Sequence, residues 1–80
     1  MARETPLVNL RRGERGVVAT LPAEARHLHK LLVFGVLPGT EIEVLQVFPG
    51  YVIAVGNTML ALDREIAGSI TVISNQGNKK

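Results

Sequence analysis

LLVFGVLPGTEIEVL, residues 31–45, changes its hydrophobic period in the middle. Ahead of Gly35 the apolar residues fall at helical spacing, whereas beyond Pro38-Gly39 they alternate with Glu41 and Glu43, as in a strand with one wet face. Gly35 stands where a helix needs a residue of positive φ to end, Val36 supplies the apolar contact that commonly follows, and Leu37-Pro38-Gly39-Thr40 suits a type II turn. The joint is thus a helix stop followed by a strand launch, and Gly35, Pro38 and Gly39 are structural positions. In the strand, Thr40, Ile42, Val44, Gln46 and Phe48 share one face and Glu41, Glu43, Leu45 and Val47 the other, so apolarity changes sides near Leu45. A bulge or a sharp bend there, of the kind that bends strands in small barrels, accounts for the change.

Upstream, Gly13 precedes a stretch rich in β-branched residues that predicts a first strand near residues 15–20. Pro22 is tolerated in the first turn of a helix, and the residues after it are helix-compatible, which places a helix at about residues 22–34. Its inner face reads Ala25, Leu28, Leu31 and Leu32. Downstream, Pro49-Gly50 turns the chain into a strand at 51–55, Gly56-Asn57 fits a two-residue hairpin loop, and residues 58–62 return. Asp63 caps a short helical turn at 64–67, residues 69–73 form the last strand, and residues 74–80 read as a polar tail. The expectation is a single, mainly β domain with an ordered core at about 6–73. Its five short strands form a small barrel, with one helix between the first two and a helical turn before the last.

Eighty residues leave room for one compact core and no deep cleft. No apolar run approaches the roughly 18 residues that a membrane span needs. The N-terminal segment lacks the apolar core of a secretory signal, and the absence of cysteine removes disulfides and thiolate metal sites together, which fits a cytoplasmic location. The formal net charge of +2 raises the question of nucleic acid, but the cations sit mainly at the ends: Arg3, Arg11, Arg12, Lys79 and Lys80. Between Gly13 and Ile73, four cations (Arg15, Arg26, Lys30, Arg64) face six acids, so no basic stripe is built into the folded part. Phe34, Phe48 and Tyr51 are few for a base-stacking platform.

The chain has no glycine-rich phosphate loop ending in Lys-Ser or Lys-Thr, so it does not hydrolyse nucleotide by that route. Nothing in the sequence brings Ser69 or Ser74 beside His27 or His29, and no catalytic residue is assigned. On a helix His27 and His29 point about 200° apart and do not share a metal. Glu24 and His27 do share a face, yet two donors are too few for a tight divalent site, and no metal ligand or cofactor is assigned. Phe34 lies in line with His27 and Lys30. Either it folds back onto the following loop, or the three residues form a partner-binding stripe anchored by the aromatic ring.

The order of landmarks resembles the FeoA family over nearly the whole chain. It runs through Leu7, Leu10, Gly13, Gly16 and Val18, then Leu31-Leu32 with Gly35, Pro38-Gly39-Thr40, Ile42 and Val44, then Leu60-Ala61-Leu62 with Arg64-Glu65 and Ala67. The chain departs from the usual pattern at Phe48-Pro49-Gly50-Tyr51, a short connection between middle strands. The resemblance implies an SH3-like barrel and a non-enzymatic cytoplasmic accessory protein of ferrous iron uptake that docks on the membrane GTPase transporter FeoB. The alternative is a free-standing SH3-like barrel that binds nucleic acid or another protein, for example an interaction module of the kind found in metal-dependent repressors.

Overall fold

In the computed structural model, which describes residues 3–74, the chain begins with β1 (Glu4–Pro6), a 3-10 turn (Leu7–Asn9), β2 (Arg15–Thr20) and α1 (Ala25–Val33). It continues through β3 (Glu41–Gln46), β4 (Tyr51–Val55), β5 (Thr58–Leu62), α2 (Arg64–Gly68) and β6 (Thr71–Ser74). All neighbouring strands are antiparallel, in the order β1-β6-β2-β3-β4-β5.

The period change at residues 31–45 is a complete Schellman motif. Gly35 has φ +86°, its N–H donates to the Leu32 carbonyl at 3.0 Å, and the Val36 N–H reaches back to the Leu31 carbonyl at 2.9 Å. Val36 and Leu31 are both buried, which is the apolar contact that locks such a turn. Gly39 follows with φ +93°, and Thr40 N–H closes the turn on the Leu37 carbonyl at 2.9 Å. The strand that is launched buries Ile42 and Val44. Its register against β4 shifts between Val44 and Gln46, so the bulge falls at Leu45.

A second register shift, between Val18 and Thr20 where β2 meets β6, bends the other side of the sheet. The curled sheet then encloses one core. Val18, Ile42, Val44, Tyr51, Ile53, Val55, Leu60, Leu62 and Val72 enter it from strands, while Leu7, Leu31, Val36, Ile66 and Ala67 enter from the turns and helices. Strands β2 and β6 approach closely at Gly16, where an added Cβ would lie 3.1 Å from a Val72 methyl and 3.2 Å from the Ile73 carbonyl oxygen. Asp63 caps α2 as its sequence position implies, accepting from the Ile66 N–H at 2.8 Å.

Four expectations need correction. The sheet has six strands, not five: β1 pairs with β6 from Glu4–Ile73 to Pro6–Thr71. Its Glu-Thr-Pro sequence buries no side chain and so has no apolar period to read. Helix α1 starts at Ala25 because Glu24 is extended (φ −70°, ψ 128°) and occupies the cap position. Its inner face is narrower than predicted: Leu31 is buried and Leu28 half-buried, but Ala25 and Leu32 are exposed. Ser74 belongs to β6; the rest of the predicted tail, residues 75–80, lies outside the described residues.

Candidate docking surface

Helix α1, ARHLHKLLV, contains no acid. Its one acidic neighbour is Glu24 at the cap position, whose side chain does not cap the helix. Glu24 Oε2 instead takes the Arg26 guanidinium at 2.8 Å, and Oε1 lies 3.5 Å from His27 Nδ1. The hydrogen bond from Arg26, then the charge of Arg26 and that of His27, hold the Glu24 carboxyl below its ordinary range. The same contact raises Arg26. Arg26 is therefore neutralised locally. Among the described residues the side chains of His29 and Lys30 make no hydrogen bond or ion pair, and both stand exposed.

Exposed apolar side chains stand around the same end of the helix. Leu32, Val33, Phe34 and Leu37 are 43%, 64%, 42% and 47% exposed, and of the large hydrophobic side chains exposed on the described molecule only Phe48 and Met59 lie elsewhere. The cause is geometric. Three consecutive apolar residues, Leu31-Leu32-Val33, sweep about 200° of a helix, and a helix resting on the body along the Leu28–Leu31 line buries only part of that arc. The Schellman turn then fixes the exposed residues in place, since Val36 is pinned beneath Leu31 while Phe34 and Leu37 flank it on the outside.

Of the three residues predicted as a binding stripe, Lys30 and Phe34 do share a face at i, i+4, and the Phe34 N–H bonds the Lys30 carbonyl at 3.3 Å. His27 is turned toward Glu24 and is only a quarter exposed. Leu32, Val33 and Leu37 also stand exposed around this helix end; the over-wide apolar arc is the sequence signal for Leu32 and Val33, while Leu37 lies in the turn beyond the helix. Gly35, Pro38 and Gly39 are the joint that carries the patch.

Elsewhere the surface offers less. An open depression of about 160 Å³ on the outer sheet face is lined by Arg15, Glu41, Ile42, Glu43, Ala54 and Gly56, with Arg15 and Glu43 paired across it at 3.7 Å. Among the described residues no three His, Asp or Glu side chains come together as a metal site.

A short β module whose curled antiparallel sheet encloses one core, with a short helix beside it, belongs to the class of small SH3-like domains. The FeoA domain model matches residues 5–74, and the chain belongs to the FeoA family, whose small, non-catalytic accessory members are tied to ferrous iron transport. The chain is similar to a crystal structure of an iron uptake regulatory protein (FeoA), at 28% identity over 90% of this chain and 99% of that one, with a TM-score of 0.81. It is also similar to the FeoA protein from Chlorobium tepidum, at 26% identity over 94% of this chain and 74% of that one, with a TM-score of 0.85. The T. acidophilum IdeR shares the fold, with a TM-score of 0.85 at 19% identity, and the match spans 90% of this chain but only 34% of that protein. No curated protein matches the chain by sequence.

Proposed function

We propose that the chain is a non-enzymatic, cytoplasmic accessory protein of ferrous iron uptake that docks on the cytoplasmic part of a FeoB-type membrane GTPase transporter. The contact is made through the end of α1. The observation that carries this reading is the exposure of Leu32, Val33, Phe34 and Leu37 around the end of α1, with Val33 and Phe34 on the face of Lys30, because a small domain that leaves large apolar side chains uncovered beside a cation has a surface suited to a partner. Family membership supports the iron-transport context. No helix of the described residues is long and apolar enough to cross a membrane, and the chain has no nucleotide-binding loop, so transport and GTP hydrolysis belong to the partner.

Phe34 is the anchor and Lys30 the steering charge. Calorimetric titration with the transporter's cytoplasmic domain tests the assignment: the wild type binds, and Phe34→Ala weakens binding while its melting temperature stays within a few degrees. Unchanged affinity in Phe34→Ala would overturn it. A role in nucleic-acid binding is disfavoured by the acidic balance between Gly13 and Ile73.

A further inference from the structure

The sheet has two edges, β1 and β5, and they are unlike. Strand β1 is three residues long, carries Glu4 and ends in Pro6, features that blunt an edge against further pairing. Strand β5, TMLAL, is five residues long, with no charge and no proline. It pairs with β4 in five consecutive steps without a bulge. On its far side no described residue is hydrogen-bonded to it. Met59 is 71% exposed on the outer face and Ala61 lies beside it, also exposed.

The hairpin determines which backbone groups that edge offers. Gly56-Asn57 is a two-residue loop closed by the Val55–Thr58 pair, and in such hairpins the closing pair exchanges both hydrogen bonds. Antiparallel pairs alternate, so Thr58, Leu60 and Leu62 spend their backbone groups on β4, while those of Met59 and Ala61 point outward.

We propose that the β5 edge is a self-association site, pairing antiparallel with β5 of a second copy about a two-fold axis through Leu60. In that register Met59 exchanges both backbone hydrogen bonds with Ala61 of the second copy, and the axis repeats the exchange. The side chains fit as large against small. Thr58 lies opposite Leu62, and beyond the strand ends Asn57 lies opposite Asp63, so no charge meets a like charge. The interface is closed by its two-fold axis, and among the described strands the other edge is the blunted β1, so the assembly stops at a dimer. With a strand of five residues the association is weak and concentration-dependent. It leaves the α1 patch free and does not rest on the docking role proposed for it.

Sedimentation velocity from about 10 µM to about 1 mM, with amide exchange of Met59 and Ala61 followed by NMR over the same range, tests the proposal. The wild type passes from monomer to dimer, and exchange at these two amides slows as it does. Met59→Lys with Ala61→Lys sets lysine opposite lysine on both sides of the axis and raises the dissociation constant about tenfold. Met59→Glu with Ala61→Lys sets opposite charges together and restores a dimer that weakens with salt. Both variants place the new groups on the solvent face and melt as the wild type does. A wild type that stays monomeric throughout overturns the proposal, as does a dimer with no protection at Met59 and Ala61, or one that the double lysine variant retains. Protection of these amides only on adding another protein would assign the edge to a foreign strand and equally overturn it.

Discussion

Replacing Gly35 tests the joint that sets the fold and presents the patch. An ideal Cβ at Gly35 meets nothing within 4 Å, so Gly35→Val introduces no collision of its Cβ and acts through the backbone. With φ +86° the position lies in the left-handed region, where an L side chain costs on the order of 1 to 2 kcal/mol, and more when β-branched. If the turn relaxes instead, the Schellman bonds at Gly35 and Val36 are lost and the Leu31–Val36 contact opens. Either way the loss is about 1 to 3 kcal/mol, and for a domain of this size each kcal/mol lowers the melting temperature by roughly 4 to 8 °C. Calorimetric or circular-dichroism melting of Gly35→Val beside Gly35→Asn measures it, since asparagine tolerates the left-handed region better and retains more stability. Equal melting temperatures for wild type and Gly35→Val would refute the reasoning, as would an asparagine variant as unstable as the valine one. Gly16→Ala provides a contrast: its loss comes from the Cβ approaching Val72 and Ile73 at 3.1 and 3.2 Å.

Leu31→Ala removes a side chain with no exposed surface and costs about 2 to 5 kcal/mol in urea unfolding, whereas Leu32→Ala, at 43% exposure, leaves the midpoint nearly unchanged. Glu24 titrates below the ordinary glutamate value in a carbon-detected NMR titration, and Arg26→Gln returns it toward that value. Because its folded pKa is lowered, whatever stability Glu24 lends is present above its unfolded pKa and lost as the pH falls through the folded one. Lys30→Glu leaves melting unchanged and slows association with the transporter's cytoplasmic domain, with a reduced dependence on salt, as measured by stopped flow.

The joint was legible in the sequence because its chemistry is local: Gly35 and Pro38-Gly39 prescribe backbone angles that few other residues accept. The bulge at Leu45 was legible for a related reason, since an extra residue in a strand moves apolarity to the other face. Strand β1 was not, because it is held by backbone pairing to β6 and buries nothing, and backbone pairing leaves no periodicity. The start of α1 was misplaced because proline at a first helical position is a preference, and here Pro22 is buried ahead of the cap. Helical spacing put Lys30 and Phe34 on one face, as they stand in the structure. Leu32 was put on the wrong side because spacing gives the direction of an apolar arc but not how much of it the body covers, which depends on how a short helix rests on the sheet.

Chemical-shift mapping locates the docking surface: the isotopically labelled chain is titrated with the unlabelled cytoplasmic domain of a FeoB-type transporter. Perturbations centre on Lys30, Leu32, Val33, Phe34 and Leu37. Phe34→Ala, with its fold intact, loses affinity about 30-fold, the scale of about 2 kcal/mol for an aromatic anchor. A footprint on the outer face of β3, β4 and β5 that spares α1, or undiminished binding by Phe34→Ala, would contradict it.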